Sequence, residues 1–324
     1  MDEAQDMSVN VLTLSGDIFD SCEDAEVLRP RLRKVFSNNN FDIIAVPGNH
    51  DLEAYRTNLD FGSNLKVAIN TPYEVFNYDD VNVVALPYTH HMDAHLLSSL
   101  KSVVKDDKVY VLLVHCTLDI GFSGEDFGES EGSSYCPVSR AVLGLLGFDY
   151  VLAGHFHKST IMLPLGSRGK FVYPGSPVSH SVKETGRRQA IFVDTAEGVC
   201  KSVPLKSFYY DFFNVTVSPG TEDKAINDIR MWVSERSKDS CSLKIVVNGF
   251  IVRDEKIFLN ELRNAAGCAE VETNYRNVKE VLEHPLFVRF KKKLIEKHVE
   301  KSAEVEERVI EVFSRLLANG ELKP

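Results

Sequence analysis

The stretch Ile43-Ile44-Ala45-Val46-Pro47-Gly48-Asn49-His50-Asp51 joins an apolar run to a polar loop with no linker between them. Its first half is short, β-branched and ended by Pro and Gly, which predicts a buried strand. Asn49 and His50 then follow at once. A buried strand gives no packing reason for an amide and an imidazole at its end, so the pair points to chemistry held on a rigid support.

Working outward, the same pattern recurs. Val9–Leu14, Val81–Leu86, Val109–Val114, Tyr150–Ala153, Lys170–Tyr173 and Ala190–Val193 all read as buried strands, and Glu26–Ser37 and Ala94–Val104 have helical apolar spacing. The expectation is an α/β fold layered with helices outside sheets. Polar elements fall at the strand ends: Gly16-Asp17-Ile18-Phe19-Asp20, then Gly48-Asn49-His50-Asp51, His115, Gly154-His155-Phe156-His157, and last Tyr173-Pro174-Gly175-Ser176. Carboxylate, amide oxygen and imidazole without thiolate suit Mn²⁺, Fe²⁺ or Zn²⁺. His155 and His157 share one side if their backbone is extended, a geometry that suits paired metals about 3.5–4 Å apart. A lone Gly-Asp is more often a turn and a lone His a satisfied core or surface residue; the ordered set is what carries the functional reading.

Composition sets the outer bounds. The chain has 324 residues, 44% of them apolar and 26% charged, enough for a sizeable core and roughly two domains. The six cysteines are scattered with no C-x-x-C pair, which reads as reduced thiols. A net charge of −10 argues against holding nucleic acid mainly by a basic surface, though bound cations attract phosphate themselves. No apolar run is long enough to span a bilayer and the N-terminal segment is polar and acidic, so cytoplasmic residence is expected. Residues 1–205 are expected to form the catalytic domain, 206–276 a small α+β domain around strands Phe208–Val217 and Leu243–Val252, and 277–324 a helical tail. Ala196–Lys206 reads as the transition, and the Gly-, Ser- and Glu-rich Gly121–Ser134 as a mobile loop.

The ordered set GDxxD, GNHD, H and GHxH resembles the calcineurin-like metallophosphoesterase family. Tyr173-Pro174-Gly175-Ser176, Arg187, Arg188 and the Pro204–Tyr210 stretch resemble its SbcD-type branch, the nuclease subunit of DNA double-strand-break repair. The resemblance implies an α/β/β/α metallophosphoesterase sandwich with a small capping domain and C-terminal helices. It implies two divalent metals, Mn²⁺ preferred, with Asp17 bridging and Asn49, His115 and His155 completing one site. His157 would belong to the other metal, His50 would contact the scissile phosphate, and Asp20 would orient the His50 ring. It implies exonuclease and endonuclease hydrolysis of DNA ends by metal-activated water, in a homodimer working with an SbcC-like P-loop ATPase gripped by the C-terminal helices.

The sequence departs from the family at one place. Members begin with a strand ending in Asp-x-His ahead of GDxxD, and nothing before Asp17 matches it. The His157 site then keeps only Asp17 and His157, and the expected natural start lies upstream of Met1. Asp93-Ala94-His95 matches the motif literally but falls away from any strand end. The His90, His91 and His95 group reads as a polar loop, and Arg289, Lys291, Lys292 and Lys293 as a solvated helix face. His180 and Ser176 are placed either at the site or as loop decoration. Pro285 is expected at a helix start. Leu286, Phe290 and Leu294 form one apolar stripe and Val305, Val309, Val312 and Leu316 another, to be buried on the chain itself or on a partner. Two further functions stay open: a catalytically impaired adaptor for DNA ends and the ATPase, and a small-nucleotide phosphodiesterase.

Overall fold

The structure is a computed structural model. The structure describes residues 1–56, 60–105, 107–119, 135–158, 160–236, 238–297 and 302–318; the loop 121–134 singled out above lies outside them. The chain divides into two compact units, Met1–Tyr209 and Tyr210–Pro324.

In chain order the first unit contains α1 (Asp2–Asp6), β1 (Val11–Ser15), α2 (Cys22–Val35), β2 (Asp42–Val46), α3 (Leu52–Tyr55), β3 (Leu65–Val67), β4 (Glu74–Asn77) and β5 (Val81–Ala85). It continues through α4 (Ala94–Val103), β6 (Val109–His115), β7 (Thr117–Asp119), β8 (Pro137–Ser139), α5 (Arg140–Leu146), β9 (Tyr150–Gly154), β10 (Ile161–Leu165), β11 (Gly169–Tyr173), β12 (Gln189–Asp194) and β13 (Val199–Pro204). One sheet has the order β1-β2-β3, all parallel, and a second has the order β10-β11-β9-β6-β5-β4.

The alternation of side chains along these strands builds the layers. Ile44 and Val46 of β2 face Val83, Ala85, Val111, Leu113 and Tyr150 of the larger sheet. Ile43, one residue off, turns the other way and packs with Phe36 and Leu32 of the α2 region. On the far side of the larger sheet, Leu112, Val114, Val151 and Ala153 pack with Leu100 of α4 and Leu143 and Leu146 of α5. The order is therefore helix, sheet, sheet, helix, a mixed α/β sandwich as the sequence implied. Every predicted strand is present, with its ends moved by a residue or two.

Some expectations need correction. The stretch read as a transition contains β13, which pairs antiparallel with β12. The turn between them is built by Asp194, whose side chain accepts from the Ala196 and Glu197 N–H groups at 3.0 Å, a local signal that apolar periodicity does not register. Asp93 caps α4 by accepting from the Leu96 N–H at 2.8 Å, which accounts for its place in Asp-Ala-His. Among the described residues no disulfide joins the six cysteines, and no helix is long and apolar enough to cross a membrane.

The second unit holds β14 (Tyr209–Val217), α6 (Glu222–Ser234), β15 (Cys241–Ile251), α7 (Glu255–Ala266), β16 (Glu270–Asn277), α8 (Lys279–Glu283), α9 (Pro285–Glu296) and α10 (Ser302–Ala318). Its sheet has the order β14-β15-β16, and Ile226, Ile229, Phe258 and Leu262 of α6 and α7 pack with Val217, Ile245 and Val247. Strand β16 was not foreseen: its sequence is polar and most of it is exposed, and it is held by parallel pairing with β15. Pro285 does open a helix, at its first turn. The expected stripes are met in part: Leu294 is buried and Phe290 and Val309 pack against one cluster, but the most buried positions lie beside them. Phe287 is 1% and Ile310 4% exposed, with Phe290 and Phe313 packed beside them, whereas Leu286 is 49% and Val312 38% exposed. An i, i+4 spacing suits neighbouring registers of one helix equally, and only the position of Phe250 and Val281 selects the buried one. Lys291 pairs with Glu306 at 2.6 Å on the exposed face.

Candidate metal centre

The polar strand-end elements of the first unit meet. Asp17 follows β1, Asn49 and His50 follow β2, His115 ends β6, and His155 and His157 follow β9, so the carboxyl ends of parallel strands carry the group. Ligand atoms of Asp17, His115 and His155 all lie within 4.8 Å of one another. Nε2 of His115 is 3.1 Å from Oδ2 of Asp17 and 3.0 Å from Oδ1 of Asn49. Nδ1 of the same ring is 2.8 Å from the Ser15 carbonyl, to which it must donate because a carbonyl can only accept.

That contact settles what the centre is built for. With its proton on Nδ1, neutral His115 presents a lone pair at Nε2 toward two oxygen acceptors. Three acceptors aimed at one point repel unless a proton or a cation lies between them. A ring nitrogen fixed by a backbone carbonyl with the other turned to a carboxylate is the usual arrangement of a metal-ligating histidine. Burial opposes charge on His115, but the hydrogen bond and negative charge of Asp17 overcome it and raise its pKa above the ordinary value. For Asp17 burial likewise acts against ionisation, and the His115 contact and the His50 N–H, 3.1 Å from Oδ1, reverse it, holding the carboxyl below its usual range. His155 is pushed down to about 4, first by its burial and then by the neighbouring His115, which favours the neutral form in which imidazole binds metal.

The loops can approach this closely because of their glycines. A Cβ on Gly48 would lie 2.0 Å from Oδ1 of Asp17, and one on Gly154 would lie 2.0 Å from the Ser15 carbonyl oxygen. The glycines of the GNHD and GHxH elements are thus required by neighbouring loops. Asp17 and His155 carry strain of their own, with φ of +53° and +112°. Such conformations cost about 1–3 kcal/mol each and persist where the surroundings dictate them.

The remaining predicted residues take outer positions. The His50 ring is 45% exposed, with Nδ1 3.5 Å from an Asp20 carboxylate that is itself 91% exposed, so Asp20 orients His50 only loosely. His157 stands outside the three-residue cluster and faces Glu184, with Nδ1 3.6 Å from Oε1. His90, His91 and His95 are exposed, with His90 linked to the centre through Tyr88, whose ring lies 6.3 Å from that of His115, while the ring of His180 is 6.1 Å from that of His157. Ser176 is buried, and Arg188, foreseen in an arginine-rich hairpin, is turned inward and is 3% exposed.

Some site residues escaped sequence reasoning. Asp51 is fully buried and accepts from Gly48 N–H and Ile18 N–H, both at 2.7 Å, tying the two ligand loops together. Its place in GNHD was the available signal. Tyr173 donates to the Cys116 carbonyl at 2.5 Å and accepts from the Leu118 N–H at 2.9 Å, clamping the chain that leaves His115. Tyr135 meets the His155 ring edge-on at 5.5 Å, and no local pattern announced it.

Residues 2–159, which include every strand-end element from Asp17 to His157, match the family model for the calcineurin-like phosphoesterases. No curated protein matches the sequence. The family match covers just under half of the chain and supports a calcineurin-like phosphoesterase domain of the metallophosphoesterase superfamily in this region. The chemistry of that family is metal-dependent phosphoester hydrolysis, and Asp17, His115 and His155 are grouped closely enough to hold a metal ion.

Proposed function

We propose that the chain is a DNA nuclease subunit that cleaves phosphodiester bonds with Mn²⁺, acting on double-strand ends and single strands as a homodimer with an SbcC-like ATPase. The observation that supports hydrolysis most directly is the convergence of Asp17 Oδ2 and Asn49 Oδ1 on His115 Nε2. Oxygen and imidazole ligands without thiolate fit Mn²⁺. Asp17, Asn49, His115 and His155 would hold it, with His157 toward a second ion. The ion supplies Lewis acidity and lowers the pKa of water toward neutrality.

The chain's own residues do the rest. His115 holds its Nδ1 proton on Ser15, so Nε2 remains a ligand through the reaction. His50, beside the centre and half-exposed, can reach a phosphate from solvent and give a proton to the leaving oxygen. The DNA assignment leans on the SbcD-like Tyr173-to-Ser176 turn and on the α/β unit that follows. The exposed Val288 and Ile295 of α9, seven residues apart and so on one face, offer the ATPase an apolar contact.

The test is cleavage of double- and single-stranded DNA with Mn²⁺ by the wild type and by His50→Ala. Loss of cleavage in the variant is expected, and equal rates would end the catalytic assignment. The separation of His157 from the three-residue cluster favours a second reading, an adaptor that holds one ion and does not cleave. Metal analysis giving one ion per chain, together with no cleavage, would select it.

A further inference from the structure

The segment after the Tyr173-Pro174-Gly175-Ser176 turn carries a buried carboxylate and a buried guanidinium, joined through the Ser176 hydroxyl, that none of the roles above uses. Glu184 and Arg188 are each 3% exposed. Oε2 of Glu184 accepts from the Ser176 hydroxyl at 2.9 Å and from the His180 N–H at 3.0 Å. Its Oε1 lies 3.6 Å from Nδ1 of His157. Arg188 donates from Nε to the Ser176 carbonyl at 2.9 Å, from Nη1 to the Lys158 carbonyl at 3.0 Å, and from Nη2 to the Ser176 hydroxyl at 3.1 Å. Nη2 also donates to the carbonyl of His157 itself.

Burying a carboxylate and a guanidinium is a poor route to stability, because apolar residues of similar volume do as well or better. What such a network provides is fixed geometry, and here the fixed object is His157. Its backbone carbonyl is held by Arg188 and by the Ser176 N–H at 3.1 Å, while its ring faces Glu184. At 3.6 Å the Glu184 contact is electrostatic and just beyond hydrogen-bond range. Such contacts tighten when ligands bind.

We propose that Glu184 is a positioning residue for His157: anchored by Ser176 and the His180 N–H, it holds the Nδ1 edge of the ring and leaves Nε2 as the ligand atom for a divalent cation. Arg188 locks the backbone from which that ring projects. The proposal rests on the reading of His157 as a metal ligand. It also explains why a segment distant in sequence from GHxH is built into the site.

The test uses the full chain, ¹⁵N-labelled at histidine and freed of metal by chelation, with the His157 signal assigned by its loss in His157→Gln. Long-range ¹H–¹⁵N spectra should show His157 as the Nδ1–H tautomer in the wild type and as a tautomer mixture in Glu184→Gln. Titration with Mn²⁺ alone should show affinity weakened roughly 10–100-fold in Glu184→Gln, the range for lost outer partners of a ligand. Glu184→Asp, which keeps the charge on a shorter arm, should recover part of it. Wild-type tautomer and affinity in Glu184→Gln, with affinity lost in His157→Gln, would overturn the positioning role and leave His157 a ligand. Unchanged Mn²⁺ binding in His157→Gln would overturn the ligand reading itself. If Glu184→Gln does not fold, Glu184→Asp decides: intermediate affinity supports the proposal and wild-type affinity overturns it.

Discussion

Nε2 of His115 faces Oδ2 of Asp17 at 3.1 Å across a gap that a single cation or proton must fill. Asp17→Asn keeps the shape and removes the charge. We expect it to weaken Mn²⁺ binding by at least the ~100-fold reached when outer partners are lost, with phosphodiester hydrolysis falling alongside. Calorimetric titration of both proteins with Mn²⁺ measures the first effect. Equal affinities would remove Asp17 from the ligand set.

Acid should act on the metal-free protein through His155. Its folded pKa is lowered to about 4 from an ordinary 6.5, so the unfolded chain binds the proton first and stability falls as pH drops between these values. The loss from this group is about 3 kcal/mol at 1.36 kcal/mol per pH unit. His115 has the opposite sign: its raised pKa gives stability that is full below 6.5 and lost as pH rises through the folded value. It is therefore constant in the window where His155 acts. The lowered pKa of Asp17 gives stability present above 3.8 and lost only on falling through its folded value, below that window. Urea melts in chelator from pH 7 to 4 should slope downward in the wild type and markedly less in His155→Gln.

Gly48→Ala tests the contact between the ligand loops. Its Cβ would lie 2.0 Å from Oδ1 of Asp17, so one loop must move. We expect a stability loss of about 1–3 kcal/mol, as for overpacking elsewhere, together with weaker Mn²⁺ binding. Denaturant unfolding and metal titration of the same sample read both; an unperturbed metal affinity would show that the loops have room to spare.

Asp51→Ala removes the acceptor shared by Gly48 and Ile18. Hydrogen bonds to charged groups are worth about 1.5–3 kcal/mol each, and two buried N–H groups would be left unpaired. The burial of Asp51 and the nearby charge of Asp17 raise its pKa and offset part of that gain. A net loss of about 3 kcal/mol in chemical denaturation is expected. A change within 0.5 kcal/mol, the range of ordinary surface substitutions, would relieve Asp51 of its structural role.

Much of the centre was legible in the sequence because each polar residue ends an apolar β-branched run. Asp17, Asn49 and His115 meet as that pattern implied, with His155 beside them. Where the local signal was weak, so was the reading. Polar β16 was invisible because parallel pairing with β15, not its own side chains, makes it a strand. Of the stripes expected on α9 and α10, Phe290, Leu294 and Val309 are packed, while Leu286 and Val312 give way to Phe287 and Ile310, because helical spacing leaves the edges of a stripe open.

The chain by itself determined the strand order along the sequence, the alternation that makes layers, and the residue types offered to a metal; all of these are short-range properties. Tertiary structure decided the rest. It placed the Ser15 carbonyl against His115 and so chose which nitrogen faces Asp17. It made Gly48 and Gly154 obligatory through loops far away in sequence. It brought Glu184 and Arg188 under His157. These are contacts between distant segments, fixed by how two sheets stack, and no pattern within one segment can encode them.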